Sequence, residues 1–325
     1  MNRAAAFAGI IAVLFMSGCA GVSDFPFGGE KDYVMSVHFA DVGEGDCAYI
    51  TLPDGKNMLI DCGEESEENF ETVRDLVSAS GKETIDYLVI THPDDDHAGG
   101  AAALIAEYGA GKAFFPDVLR TEYFPAFAAA KGAAEECGAE TVISETFLCE
   151  RGQDYFFLFL YPLGSGLSGS AYTDLNAAVT PTAEQINDVS AVIYLECAGV
   201  RFLFTGDAGG RAEALITEYY EAELYGARLK DRDITLENLD FYKAAHHGGA
   251  DANGQEFLEL LRPANAVVSC GGGNYLGHPS TVVLERFMRA NPEHNLYRTD
   301  TDGTVSVFIK QSGEYYVKTE AEYGS

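Results

Sequence analysis

The chain has 325 residues, a formal net charge of −30, 47% hydrophobic residues and 12% aromatics. That much apolar material excludes a disordered chain, and the length accommodates one large domain or two small ones. The acidity opposes binding to nucleic acid or anionic lipid unless a basic patch or a metal offsets it, and the sequence contains no Lys/Arg cluster.

In chain order, Arg3 gives a positive start, residues 4–16 are almost unbroken apolar, and Ser17-Gly18 supplies a small-residue cleavage site. This is the layout of a secretory leader. Met16-Ser17-Gly18-Cys19 resembles a bacterial lipobox, with Met where Leu is usual. The resemblance implies cleavage before Cys19 and its lipidation, which anchors the chain to a membrane or envelope outside the cytoplasm. An uncleaved anchor or plain secretion is the alternative. The expected organisation is a leader at 1–18, a tether at 19–32, a domain at 33–320 and a tail at 321–325. Loss of Arg3 with the leader leaves a charge of −31. The other cysteines (Cys47, Cys62, Cys137, Cys149, Cys197 and Cys270) form no Cys-x-x-Cys, which argues against a thiolate zinc or redox site. They are expected to be small buried residues, with Cys137 and Cys149 the pair closest in sequence.

Period-two apolar patterning predicts strands at 34–39, 47–52 and 57–60, the first two separated by the tight loop Asp41–Asp46. A helix is expected at 70–79, then a strand at 85–90 ending in Thr91-His92-Pro93, and helices at 98–108 and 123–137. Strands follow at 155–161, 191–197 and 201–205, with the Gly/Ser-rich stretch 164–172 and its neighbour 173–186 expected as loop. Strands at 239–245 and 266–270 alternate with helices at 212–220, 256–261 and 281–290, and strands at 304–309 and 315–318 close the chain. Runs of strands that give way twice to strand–helix alternation predict a layered α/β body with helices outside.

The chemistry concentrates in Thr91-His92-Pro93-Asp94-Asp95-Asp96-His97, where two imidazoles and three carboxylates follow a buried strand. Acids packed this tightly repel one another and lose solvation unless a cation joins them. Mixed nitrogen and oxygen donors suit Zn²⁺ or Mn²⁺, and the low imidazole count tilts the choice towards Mn²⁺. The competing explanation is a solvated turn in which Asp94 or Asp96 caps a helix. Two further apolar strands end in such side chains, Thr205-Gly206-Asp207 and Ala245-His246-His247-Gly248, and His278 lies in Gly277-His278-Pro279. Three strand ends bearing ligand-type residues are the layout of a dinuclear hydrolase.

Asp41-Val-Gly-Glu-Gly-Asp46, Leu59-Ile60-Asp61-Cys62-Gly63, the His92–Gly100 cluster, Asn187-Asp188-Val189-Ser190, Thr205-Gly206-Asp207, His246-His247-Gly248 and Asn274-Tyr-Leu-Gly-His278-Pro279 occur in that order. Together they resemble the metallo-β-lactamase domain of competence protein ComEC and its stand-alone relatives, over about residues 34–310. The resemblance implies a four-layer αβ/βα sandwich with a site at one edge. The superfamily pattern His-x-His-x-Asp-His becomes His92-x-Asp94-x-Asp96-His97, with Asp94 replacing the second histidine. A further superfamily histidine is absent, and Asn187 and Ser190 stand in that region. Asp207 matches the bridging carboxylate, and His247 the last ligand, with His246 its rival. Asp61, Asn187 and Ser190 are expected behind the ligands, orienting them. The implied cofactors are two divalent ions, Zn²⁺ or Mn²⁺, with one as the alternative. His92, Asp94 and Asp207 would hold the first, and Asp96, His97, His247 and Asp207 the second.

The resemblance further implies hydrolysis of a phosphoester, foremost a phosphodiester. Asp96 and Asp207 are expected to hold metal and accept a proton. His278 and Asn274 are expected to bind substrate oxygen, or His278 to protonate the leaving group. The candidate substrates are nucleic acid and an envelope phosphoester such as phosphocholine or a teichoic-acid-like chain; the charge of −31 disfavours duplex DNA. No protein partner is inferred. A non-catalytic binding lipoprotein that keeps the fold is the alternative from another class. A β-lactam or lactone hydrolase ranks below it, because those branches keep the missing histidine. Asp46 is expected to be structural, and His38 and His294 structural or superficial.

Overall fold

The computed structural model describes residues 32–323. The lipobox-like stretch Met16–Cys19, with the expected lipidation site Cys19, lies outside the described residues, as do residues 324–325.

Two sheets make up the body. The first is ordered β15-β14-β1-β2-β3-β4-β5-β6 and the second β13-β12-β11-β10-β9-β8-β7. The first contains β1 (Met35–Phe39), β2 (Ala48–Thr51), β3 (Asn57–Ile60), β4 (Ile85–Val89), β5 (Ala110–Phe115), β6 (Glu140–Ile143), β14 (Val305–Ile309) and β15 (Tyr315–Thr319). The second contains β7 (Cys149–Arg151), β8 (Tyr155–Tyr161), β9 (Val192–Cys197), β10 (Val200–Phe204), β11 (Phe241–Lys243), β12 (Asn265–Val268) and β13 (Asn295–Arg298).

Strand alternation builds the interior. One face of each strand feeds a layer between the sheets, for example Met35, Val37 and Phe39 of β1 and Val200, Phe202 and Phe204 of β10. Rings meet across it: Phe39 and Phe204 lie 5.8 Å apart, and Phe114 and Phe159 lie 5.2 Å apart. Each such ring contributes roughly 1.5–3 kcal/mol by leaving water. The opposite faces pack against helices, through Leu88, Leu158 and Leu203 on the strands and Val73, Phe127 and Leu258 on the helices. The result is the metallo-β-lactamase fold, helices outside two facing sheets, as the resemblance implied.

Each sheet is antiparallel in one part and parallel in the other. β3, β4, β5 and β6 run parallel, as do β10, β11, β12 and β13. Parallel neighbours need a crossover, and helices supply it. Glu67–Ala79, Ala101–Tyr108 and Pro125–Cys137 serve the first sheet, and Gly210–Glu221, Gln255–Leu261 and Thr281–Ala290 the second. Their starts carry local signals: Ser66 accepts from Asn69 N–H, and Ser280 from Val282 N–H. The loops after the parallel strands therefore emerge along one edge of the sandwich, and β3, β4, β10, β11 and β12 all empty there.

Several expectations need correction. The stretch 164–186 is not loop throughout: Ala171–Ala177 and Ala183–Asn187 are helical, the latter opened by a capping box of Thr182 and Gln185, while 164–170 and 178–182 are loop as expected. Four strands were not foreseen (β5, β6, β7 and β13), nor was the helix Leu224–Leu229. β6 is largely exposed and β7 has three residues, so neither shows the apolar alternation that betrays a strand. Cys137 is exposed and Cys149 half-buried, whereas the other described cysteines are buried; all six are free.

Candidate metal centre

The loop after β4 turns at Pro93 into a one-turn helix, Asp95–Ala98. Asp94 occupies its N-cap position but makes no capping hydrogen bond, so the capped-turn explanation fails. Its carboxylate instead stands 3.7 Å from His92 Nε2. His92 and His97 are fully buried, their rings 4.1 Å apart. Asp61, in the loop that leaves β3, accepts from Thr91 N–H at 2.8 Å and Thr91 Oγ1–H at 2.7 Å, and holds His97 Nδ1 at 2.8 Å. That contact fixes the tautomer and turns His97 Nε2 towards the edge of the sandwich.

Asp207 arrives from β10 through Thr205-Gly206. Gly206 has φ +48°, and a Cβ there would stand 2.7 Å from Thr91 Oγ1, so the two loops close on each other only with glycine. Asp207 N–H donates to Ser190 Oγ at 3.2 Å. Its carboxylate lies at the centre of the imidazoles: Oδ1 is 3.2 Å from His97 Nε2, and Oδ2 is 3.7, 3.8 and 3.9 Å from Nε2 of His247, His246 and His92.

The turn after β11 separates the two rival histidines. Both adopt left-handed backbone, His246 at φ 48° and His247 at φ 51°, a costly conformation for side chains of this size. Asn253, fully buried, holds it. Its Oδ1 accepts from Tyr242 OH and Ala245 N–H, and its Nδ2 donates to Ala245 O and Gly249 O. His247 is buried, with Nδ1 donating to Ser269 O at 3.0 Å and Nε2 3.3 Å from Asp96 Oδ2. His246 stands at the rim, its Nδ1 on Asp251 at 2.9 Å and its Nε2 3.5 Å from Asn187 Nδ2. Asp96, His97, Asp207 and His247 thus form one ligand group and His92, Asp94 and Asp96 another. His247, not His246, completes the fuller one.

The side chains present fit divalent ions. The Nε2 atoms of His92, His97 and His247 and Oδ1 of Asp207 are all buried without a hydrogen-bond partner, and all face one space. Native proteins rarely leave one such atom unsatisfied, let alone four together. In the metal-free protein, protons do the joining. Burial lowers the affinity of His97 for its proton, but Asp207, Asp61 and Asp96 more than offset this and hold it protonated well above the ordinary range. Against burial, Asp207, Asp46 and Asp96 push His247 up to about 10. Burial also opposes ionisation of Asp96 and Asp207, yet the imidazoles keep both below the usual carboxylate range.

His278 lies over the rim, its ring 5.1 Å from His246 and 6.4 Å from His247. Burial and those two histidines lower its proton affinity. Asn274 departs from expectation. Its Nδ2 donates to Gly271 O and His278 O, and its Oδ1 accepts from His278 N–H, so its amide is committed to shaping the loop rather than to substrate. Asp46 was expected to be merely structural, but it lies beneath the centre, 3.3 Å from His247 Nδ1. Gly45 brings it there, because a Cβ at Gly45 would stand 2.4 Å from Asp96 O. Lys243, Asn253 and Asp251 escaped the sequence analysis. The one available signal was Lys243, a charge at an inward position of a strand. His38 is buried between Ser36 and Ser306, and so is structural and not superficial.

Residues 40–120 match the family described as the metallo-beta-lactamase superfamily. The chain is 26% identical over 294 residues to ComE operon protein 3 of Bacillus subtilis, covering 84% of this chain and 33% of that one. It is 25% identical over 273 residues to competence protein ComA of Neisseria gonorrhoeae, covering 84% and 32%. The chain therefore spans about a third of the length of these curated relatives. Among solved structures, CmlA, a diiron beta-hydroxylase from Streptomyces venezuelae, superposes with a TM-score of 0.52 at 14% identity, over 86% of this chain and 55% of that one. That likeness concerns the fold alone.

Proposed function

We propose that this metallo-β-lactamase-fold chain, with its competence-protein relatives, is a metal-dependent phosphodiesterase tethered outside the cytoplasm through Cys19. The observation that carries the metal dependence is the convergence of three orphaned Nε2 atoms on the Asp207 carboxylate, whose Oδ1 is itself orphaned. Asp96, His97, His247 and Asp207 would hold one ion, and His92, Asp94 and Asp207 a second. When bound, such ions supply Lewis acidity, lowering the pKa of water and neutralising charge on phosphoryl oxygens.

The chain's own groups do the rest. Asp207, within 3.9 Å of Nε2 of His97, His247 and His92, is placed within reach of both proposed ion sites. The half-exposed Asp96 and Asp94 face the mouth, and Asp96 is placed to accept a proton from the attacking water. His278, neutral near pH 7, offers a ring N–H to a substrate oxygen at the rim; this favours binding over leaving-group protonation. The acidic rim (Glu44, Asp94 and Asp251) favours a small or weakly charged phosphodiester, such as an envelope headgroup, over duplex DNA.

The test is metal content per chain combined with hydrolysis of bis(p-nitrophenyl) phosphate and of single- and double-stranded DNA. It compares the full chain and Asp96→Asn in membrane and soluble fractions. The expected result is one to two ions per chain and membrane-associated activity that falls about 10²-fold or more in the variant. Metal content near zero, or equal activity in both chains, would sink the proposal; activity wholly in the soluble fraction would remove the tether.

A further inference from the structure

Along β11, Phe241 faces the layer between the sheets, Tyr242 faces the helices, and Lys243 returns to the side of Phe241. Its register partner on β12 is Val267, itself part of the layer between the sheets. Among the described residues, Lys243 is the only lysine or arginine that is buried, at 4% exposure. Its Nζ donates to Asp46 Oδ2 at 2.7 Å and to Ala244 O at 2.8 Å.

The partner comes from the other sheet. Asp46 ends the loop between β1 and β2. Its N–H donates to Asp96 O at 3.2 Å, and its carbonyl accepts from Gly63 N–H at 2.9 Å. The backbone of Asp46 is thus joined to the loops that carry Asp96 and Asp61. Its side chain reaches the second sheet, where Oδ1 lies 3.3 Å from His247 Nδ1, an ion-pair distance beside the hydrogen bond that the same nitrogen makes to Ser269 O. Asp46, Asp61, Lys243 and Ser269 form the polar lining of a small cavity whose other walls include Phe39 and Phe204.

Stability alone does not account for this pair. Desolvating an ammonium and a carboxylate is expensive, and two apolar side chains of similar volume hold a core as well or better. What an apolar pair lacks is an anion fixed behind the imidazole whose far nitrogen faces the centre. We propose that Lys243 and Asp46 are positioning residues for the divalent ion. Lys243 fixes the Asp46 carboxylate in the core, and Asp46 aligns His247 and strengthens it as a ligand through Nδ1. The Ser269 carbonyl sets the ring plane, and Asp46 adds the charge. Because its two members come from opposite sheets, the pair also locks the Asp96–His97 loop to the His246–His247 turn. This inference rests on the metal-dependent reading above.

The test measures affinity for Zn²⁺ and Mn²⁺ by competition with a chelator, the visible spectrum of the Co²⁺-loaded chain, and the melting temperature. It compares the full chain, Asp46→Asn, the double variant Asp46→Leu/Lys243→Met, and His247→Ala as reference. The double variant should melt close to the parent yet bind about 10–100-fold more weakly, with its Co²⁺ spectrum shifted towards that of the reference. Asp46→Asn, which keeps the shape and loses the charge, should lose about tenfold. Parental affinity and spectrum in a folded double variant would overturn the proposal. Should that variant fail to fold, unchanged affinity in Asp46→Asn overturns it equally. A parent chain that binds no ion would instead bring down the metal-dependent reading itself, so the two failures are told apart.

Discussion

The two proposed ion sites share Asp207 but are built differently. In the first (Asp96, His97, Asp207 and His247) the imidazoles are sealed from solvent and braced from behind, His97 by Asp61 and His247 by Ser269 O with Asp46 alongside. In the second, His92 Nδ1 has only Thr91 Oγ1 at 3.2 Å, and the Asp94 side chain is 36% exposed. His246 keeps its Nε2 3.8 Å from Asp207 Oδ2, but its Nδ1 rests on the exposed Asp251, so it too is braced only at the surface. Ligands held in place bind without paying again for order, whereas exposed and loosely braced ones must be organised by the ion or the substrate. On the metal-dependent reading proposed above, the first group would hold its ion tightly and the second would fill only with substrate present.

The widest consequence concerns the shared carboxylate. Asp207→Asn should lose both ions and about 10³-fold or more in activity, whereas Asp94→Asn should keep one tightly bound ion and lose roughly tenfold. Metal counting after dialysis, alongside the phosphodiester assay, distinguishes them. Equal loss of both ions in Asp94→Asn would erase the contrast between the two groups.

A middle-sized effect follows from protonation. His97 and His247 hold protons in the metal-free fold, the latter up to a pH of about 10. Groups whose folded pKa is raised stabilise fully below their unfolded value, about 6.5 for histidine, and lose that contribution as pH climbs through the folded one. The metal-free chain should therefore melt progressively lower between pH ~6.5 and about 10, while the metal-loaded chain stays nearly flat. Filling the first group should expel about two protons near neutral pH, so its affinity rises with pH. Calorimetry in buffers of different ionisation enthalpy measures this. A first equivalent whose heat is independent of buffer would contradict it.

The smallest effect tests the turn that carries His247 into the first group. Asn253→Ala removes the clamp on two left-handed histidines and should cost about 2–3 kcal/mol of stability. Activity at saturating metal should fall only a few-fold. Chemical denaturation reads the first number; an unchanged midpoint would show that the turn holds without its clamp.

Much of this protein was legible in its sequence. Strand alternation and the switch to strand–helix units announced a layered sandwich, and His92, Asp94, Asp96, His97 and Asp207 were visible as ligand chemistry at strand ends. Those features are local: periodicity follows from backbone geometry, and clustered acids with imidazoles demand a cation wherever they occur. The roles of neighbours were not local. Which of His246 and His247 enters the centre depends on backbone dihedrals imposed by Asn253, several residues further on. Asn274 has the chemistry of a substrate ligand, but its amide is taken by its own loop. Asp46 and Lys243 looked like a turn acid and a strand charge until the two sheets closed. Only tertiary packing decides such cases, because a polar group's role is set by which partner reaches it first once water is excluded.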